Sequence, residues 1–82
     1  MPHVTLYGKP GCHLCDDARA TVRRVRAQRT FDLHEVDVTL DPVLFREYGE
    51  RIPVVALDGE ELFEFQVEEA VLMERLDRVD GS

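Results

Sequence analysis

Residues 4–15, VTLYGKPGCHLC, place two cysteines directly after a short β-type run and a turn. The strand-forming residues at positions 4–7 are ended by Gly8-Lys9-Pro10-Gly11. Downstream, apolar residues recur every three or four positions and predict a helix with one buried face: Leu14, Ala18, Val22 and Val25. Cys12 and Cys15 are therefore expected where the first strand ends and the first helix begins.

A second strand and a second helix are predicted next. Residues 31–38, FDLHEVDV, indicate a strand whose alternation slips at His34-Glu35, where either a bulge or an edge position would account for the slip. Asp41-Pro42 predicts a helix start, with proline at the first helical position, and Gly49 predicts the end of that helix. The expected apolar contacts of this helix are Leu44, Phe45 and Tyr48.

The last part of the chain predicts a hairpin and a final helix. Residues 52–57, IPVVAL, are a continuous apolar run typical of a buried strand. Asp58-Gly59 is a two-residue hairpin signal that leads into a strand at residues 62–65. Two aromatic residues alternate there and are expected to pack on the core, although either is also a candidate for the edge of a substrate groove: Phe63 and Phe65. Residues 67–79 predict a helix with one apolar face: Leu72, Leu76 and Val79.

The predicted element order is β-α-β-α-β-β-α. The first βαβ unit implies two parallel strands joined by a right-handed crossover, whereas the hairpin implies an antiparallel pair. A mixed four-stranded sheet covered by helices on its faces satisfies both constraints, so the predicted fold is an α/β three-layer sandwich. With 82 residues and no repeats or linkers, the chain is expected to form a single domain over residues 1–82.

The charge balance excludes several classes of partner. The chain carries a net charge of −7, which argues against binding to nucleic acids and to anionic membranes. Its opening residues lack the basic and apolar regions of a signal peptide, and no apolar run approaches the about 20 residues that cross a bilayer. We therefore expect a soluble cytoplasmic protein, and we expect it to be a monomer.

The two cysteines are suited to disulfide exchange. Near the start of a helix, free backbone N–H groups and the positive end of the helix dipole face the sulfur of Cys12, and both favour a thiolate. Cys15 lies one turn further on, close enough to attack a mixed disulfide on Cys12. Lys9 and a protonated His13 would favour the thiolate, whereas Asp16 and Asp17 would oppose it. Cys12 is thus the predicted nucleophile and Cys15 the resolving thiol.

Two other interpretations of the cysteine pair stay open. In the first, the pair helps to hold a metal ion or an iron–sulfur cluster, although a lone CxxC supplies two ligands where structural zinc takes four. In the second, the pair is inert and the domain serves interactions only. The position of a CxxC motif at the helix of a βαβ unit is typical of thioredoxin-like redox proteins and favours the redox interpretation.

Four segments of the chain carry a family resemblance. They are residues 6–15 (LYGKPGCHLC), 35–38 (EVDV), 48–54 (YGERIPV) and 58–62 (DGEEL). In these segments the chain resembles the glutaredoxin-like proteins of the thioredoxin superfamily, in particular a short bacterial branch described as glutaredoxin 2-like. The resemblance implies a thioredoxin-like fold and a thiol–disulfide oxidoreductase that acts on a disulfide-containing protein or a glutathione-type substrate.

The resemblance also implies roles for residues outside the cysteine pair. Pro53 would be a cis-proline facing the cysteines, which would present the backbone of Ile52 to an extended substrate. Lys9 matches a lysine that meets a glutathione carboxylate in the family, and Arg51 is a secondary candidate that could instead pair with Glu47 or Glu50. With His13, these residues form the predicted substrate site.

Two departures from the family pattern bear on glutathione. His13-Leu14 replaces the usual Pro-Tyr between the cysteines, so the tyrosine beside the pair is missing. The family's Gly-Gly before the last helix is replaced by Glu64-Phe65-Gln66, whose side chains would hinder backbone approach and whose carboxylate would repel glutathione. We expect no bound cofactor. The expected electron donor is a reductase or glutathione, and this segment disfavours glutathione.

Overall fold

The computed structural model describes residues 1–80, and its element order is the predicted one. It contains four strands and three α-helices, with two strands in succession before the last helix and one 3₁₀ turn after the second strand. The elements are β1 (His3–Gly8), α1 (His13–Arg26), β2 (Asp32–Asp37), the 3₁₀ turn (Val38–Leu40), α2 (Pro42–Tyr48), β3 (Val54–Leu57), β4 (Glu60–Glu64) and α3 (Glu69–Asp80).

The sheet is mixed and has the strand order β2-β1-β3-β4. β1 and β2 are parallel, whereas β3 is antiparallel to both β1 and β4. β2 is an edge strand in unbroken register with β1, so its edge position, and not a bulge, accounts for the slip at His34-Glu35. The register shift in this sheet lies instead between Val55 and Ala56, where β3 pairs with β4.

Side-chain alternation on β1 divides the core between the two faces of the sheet. Val4 and Leu6 belong to the main core, together with buried residues of α1 and α3: Ala18, Val22, Val25, Leu72 and Leu76. Tyr7 points to the other face, where it stacks on Tyr48 of α2. Helices therefore cover both faces, which confirms the three-layer α/β/α sandwich and its thioredoxin-like arrangement.

The predicted helix cap and hairpin turn are both present. The Asp41 carboxylate accepts hydrogen bonds from the N–H groups of Val43 and Leu44, and Pro42 opens α2. Asp58 and Gly59 have φ values of 49° and 88°, which gives a two-residue hairpin between β3 and β4. None of the helices within residues 1–80 combines the length and the apolarity needed to cross a membrane.

Several boundaries and contacts differ from the sequence expectation. β3 begins at Val54, directly after the cis peptide bond between Ile52 and Pro53, and α3 begins at Glu69. Phe65 lies beyond β4 with a φ of 68°, which ends the strand and leaves the ring 45% exposed instead of in the core. Phe45 and Val79 are also on the surface, whereas Phe63 packs on the core as predicted.

Candidate active site

Cys12 caps the first helix and has a hydrogen bond at its sulfur. It is the N-cap of α1, and the backbone N–H of Cys15 donates to its Sγ over 3.2 Å. Both cysteines are free thiols, Cys12 half-buried and Cys15 with no exposed surface. An N–H group aimed at a sulfur at the positive end of a helix stabilises the anion over the neutral thiol. Cys12 is thus the more accessible thiol of the pair, and its sulfur lies at the start of the helix.

Cys15 lies below Cys12, against the end of β1. It packs with Val38 and Ile52 in a small second core. Burial, followed by the hydrogen bond with Cys12, raises the pKa of the Cys15 thiol to about 11, and the Lys9 backbone and the positive charge of Arg19 act in the opposite direction. As long as Cys12 is not bonded to another sulfur, the Cys15 thiol is therefore protonated at neutral pH.

Gly8 leaves the space that the Cys15 side chain occupies. A Cβ atom at position 8 would lie 3.1 Å from Sγ and 3.3 Å from Cβ of Cys15. We expect Gly8→Ala to lower the free energy of unfolding by about 1–2 kcal/mol, because the buried sulfur has to move. Chemical denaturation measures this, and the same change in a Cys15→Ala background should cost less. An equal cost in both backgrounds would contradict the contact.

Several charged side chains lie near the start of α1, and one of them, Asp16, is paired with another residue. Lys9 and His13 are exposed at the turn and the first helical residue. Asp16 is engaged by Arg19, with 2.9 Å between its carboxylate oxygen and the guanidinium, and Arg19 also pairs with Glu35. The carboxylate of Asp16 is thereby partly neutralised, which weakens its opposition to a thiolate on Cys12.

The Ile52–Pro53 step adjoins the cysteine pair. Its peptide bond is cis, as the family resemblance implied, and Ile52 packs against Cys15 in the second core. Within residues 1–80 no hydrogen bond engages the N–H or C=O of Ile52, whereas the C=O of Pro53 accepts one from the N–H of Phe65 over 2.8 Å. The backbone N–H and C=O of Ile52, next to the buried Cys15, thus have no hydrogen-bond partner within residues 1–80.

Arg51 is held by carboxylates on β4. Its guanidinium lies 2.8 Å from Glu61 and 2.9 Å from Glu64, with Glu47 further away at 3.8 Å. These hydrogen bonds raise the pKa of Arg51 above its usual value. Of the two expected partners, Glu47 is in contact and no ion pair with Glu50 is found within residues 1–80, whereas the close partners lie on β4. This cation is therefore already engaged within the protein.

Two tyrosines form a feature of the site that sequence reasoning missed. The rings of Tyr7 and Tyr48 stack with centroids 4.0 Å apart and an interplanar angle of 14°. Both pack on the second core, as Cys12 does. The Tyr7 hydroxyl, together with burial, raises the pKa of Tyr48 to about 12. The period-two alternation of β1 already separates Tyr7 from Leu6, and that signal could have placed Tyr7 on the face away from the main core.

Two cavities flank the helix that carries the cysteines. One of about 360 Å³ lies at the ends of β1 and β2 and is lined by Lys9, Arg19 and Glu35, among others. The other, of about 200 Å³, lies between α1 and the segment that precedes α3, with Leu14 and Phe65 in its walls. In the part of the chain that the structure describes, no group of three or more His, Cys, Asp or Glu side chains is arranged to hold a metal ion.

Comparisons with known proteins agree with this architecture. The model of the glutaredoxin-like domain family (DUF836) matches residues 3–77. An uncharacterized protein of Mycobacterium tuberculosis is 34% identical in an alignment of 73 positions, which covers 83% of this chain and 75% of that protein. A structural-genomics target protein from X. campestris is 32% identical and superposes with a TM-score of 0.76 over 92% of this chain and 96% of that one. A mutant thioredoxin from Halobacterium salinarum, 22% identical, superposes with a TM-score of 0.70 over 94% and 73% of the two chains and shows the fold.

Proposed function

Because the chain belongs to the glutaredoxin-like domain family, we propose that it is a thiol–disulfide oxidoreductase that uses Cys12 and Cys15 to reduce disulfides of proteins or small molecules. The observation that carries the proposal is the hydrogen bond from the Cys15 N–H to the Cys12 sulfur at the start of α1, with a second thiol buried beneath it. An activated outer thiol and a protected inner thiol are what two-step disulfide exchange requires.

In the first step, the Cys12 thiolate attacks one sulfur of the substrate disulfide. A new sulfur–sulfur bond joins Cys12 to the substrate, the old one breaks, and the leaving sulfur departs as a thiolate that takes up a proton. The helix N-terminus and the Cys15 N–H stabilise the anion before attack. The buried Cys15 thiol is protonated throughout this step and does not compete with Cys12 for the substrate disulfide.

In the second step, Cys15 releases the reduced substrate. Two of the causes that raise its pKa, a hydrogen bond and a charge interaction, come from Cys12 and are removed once Cys12 is in a mixed disulfide. The positive charge of Arg19 and the Lys9 backbone then act against burial alone. Cys15 loses its proton to the departing sulfur and attacks Cys12, so that two electrons have passed from the dithiol to the substrate.

Substrate binding uses the surface around the pair. The free N–H and C=O of Ile52, beside cis-Pro53, would pair with an extended substrate backbone, as an added strand does. Lys9 and His13 are exposed on either side of Cys12 in the chain and would contact the substrate there. Arg51 is already paired with Glu61 and Glu64 and would influence the substrate only through these carboxylates. A thiol donor or a thiol-dependent reductase restores the dithiol, which suits a reducing compartment such as the cytoplasm.

The rate of substrate reduction tests this proposal. Fully reduced protein, freed of reductant, is mixed with a peptide disulfide at about neutral pH, and the new peptide thiol is measured with time. We expect a rate constant at least about tenfold above that of free cysteine at the same thiol concentration, because the thiolate is stabilised and positioned. Reduction no faster than that by free cysteine would contradict the proposal.

A further inference from the structure

A network of charged side chains joins α1 to the edge strand β2. The Arg19 guanidinium donates hydrogen bonds to the carboxylate of Glu35 on β2 and to that of Asp16 on α1, the second over 2.9 Å. Arg23 lies 3.8 Å from the other carboxylate oxygen of Glu35. These four residues are called the Arg19 cluster below.

The Arg19 cluster lies next to the buried thiol. Arg19 follows Cys15 by four positions on α1, a spacing that places two side chains of a helix on neighbouring turns of one face. Arg19 and Gly8 line the same cavity of about 360 Å³, and a Cβ atom at Gly8 would lie 3.1 Å from the Cys15 sulfur. The guanidinium and the backbone against which the Cys15 sulfur lies therefore border one space.

Cys15 has to become a nucleophile in a place without solvent. Its side chain has no exposed surface and packs with Val38 and Ile52, so a negative charge on its sulfur loses the stabilisation that water gives. Once Cys12 is bonded to a substrate, it no longer raises the pKa of Cys15, and burial remains as the main effect against ionisation. The resolving step therefore depends on the positive charge that lies near Cys15.

Resting on the oxidoreductase function proposed above, we propose that Arg19 is a positioning residue of the resolving step, whose charge stabilises the Cys15 thiolate while it attacks Cys12. In that step Cys15 gives up its proton, a sulfur–sulfur bond forms between the two cysteines, and the bond from Cys12 to the substrate breaks. The substrate sulfur leaves with the electron pair of that bond. The carboxylates of the Arg19 cluster hold the guanidinium in place and offset part of its charge.

Other titratable side chains lie on the segments around Cys15: Asp16, Lys9, Asp37, Arg51, Tyr7 and Tyr48. The tyrosines carry no charge at neutral pH, and both aspartates already accept hydrogen bonds, from Arg19 and from Thr39. Arg51 is held by the carboxylates of β4, and Lys9 is exposed and acts on Cys15 through its backbone. Arg19 is therefore the cation that we assign to the Cys15 thiolate.

The disulfide of thionitrobenzoate separates the two chemical steps. Cys12 attacks it and releases a coloured thiolate, and Cys15 then attacks the mixed disulfide on Cys12 and releases another. Stopped-flow absorbance gives both rates, and the second release is followed between about pH 6 and about pH 10, where thiols ionise.

Arg19→Gln should slow the second release and leave the first at its wild-type rate. We expect its pH profile to lie about one pH unit higher than that of wild type, because the thiolate loses a nearby opposite charge. The rate at about pH 7 should fall about fourfold, since a tenfold lower thiolate fraction is partly offset by the greater nucleophilicity of a more basic thiolate. Arg19→Lys keeps the charge and should stay within about twofold of wild type.

Glu35→Gln should change the second release in the opposite direction. It removes a carboxylate that offsets the charge of Arg19, so we expect a rate about twofold higher at about pH 7 and a pH profile at lower pH. An ion pair with a purely structural role is lost in both variants and would not give effects of opposite sign.

Arg23→Gln is the matched control for the loss of charge. Arg23 also pairs with Glu35, but its side chain is 65% exposed and it is not among the residues that line the cavity, so the second release should keep its wild-type rate. The role of Arg19 is overturned if Arg19→Gln leaves the second release unchanged, if Arg19→Lys or Arg23→Gln slows it as much, or if Glu35→Gln does not accelerate it. Wild-type protein that gives no second release overturns the dithiol function instead.

Discussion

Cys12→Ser lowers the rate of disulfide reduction by at least about a thousandfold, because a serine hydroxyl is not ionised at neutral pH and does not replace a thiolate as nucleophile. The side chain is half-buried at the start of α1, outside the main core, so the substitution should leave the fold intact. The assay is release of thiol from a peptide disulfide, with circular dichroism to verify folding.

Cys15→Ser is the matched control for that experiment. It keeps the attacking thiol and the Cys15 N–H that donates to it, so the first step proceeds and the reaction stops at a mixed disulfide on Cys12. Turnover by Cys15→Ser with added glutathione would indicate a monothiol route. Activity that survives Cys12→Ser would contradict the assignment of the nucleophile.

Iodoacetamide should alkylate the native protein at Cys12 and spare Cys15. A thiol with a pKa of about 11 is ionised in about one molecule per thousand at about pH 8, some two hundredfold less than an ordinary cysteine. The side chain also has no exposed surface. Peptide mapping by mass spectrometry measures the two sites separately, and urea-unfolded protein, in which both cysteines should react alike, is the control.

The pH dependence of this protection has a definite sign. Because the folded-state pKa of Cys15 lies above the ordinary cysteine value, its protonated form stabilises the fold fully below about pH 8.5, and this stabilisation is lost as pH rises towards about 11. Alkylation of Cys15 should therefore accelerate as the pH approaches about 11. Equal alkylation of native and unfolded Cys15 at about pH 8 would contradict the buried position of the thiol.

The sequence predicts the fold well because its signals are local and strong. The cap at Asp41, the turn at Asp58-Gly59 and the apolar spacing from Leu14 to Val25 each specify one element, and the element order leaves few topologies. The same holds for the cysteine pair, since its place at a helix start follows from the strand and the turn before it. The cis geometry of Pro53 came from the family resemblance and not from local signals.

What the sequence does not reveal depends on tertiary contacts. Nothing local indicates that Tyr7 stacks on Tyr48, 41 positions further along the chain, or that Glu61 and Glu64 hold Arg51. Phe65 alternates with Phe63 and so resembles a core residue, but its positive φ turns it out of the strand. A phenylalanine gives no sequence signal for that conformation, which glycine would.

The acidic and aromatic segment before α3 disfavours glutathione as a ligand of this protein. Glu64 and Phe65 lie where the family resemblance places small residues, and the structure gives the phenylalanine an exposed ring and the glutamate an ion pair with Arg51. Close approach of a ligand carboxylate to the backbone is hindered there.

We propose that Cys12 and Cys15 act as one dithiol, and the mass of the reaction product distinguishes this from any other use of the two thiols. Reduced wild-type protein is mixed with one equivalent of a peptide disulfide, quenched in acid and measured by intact and peptide-level mass spectrometry. We expect a wild-type mass lower by two hydrogens, a bond between Cys12 and Cys15, and a peptide adduct on Cys12 in Cys15→Ser. Wild-type protein that stays fully reduced, or an adduct that accumulates on Cys15, would contradict it.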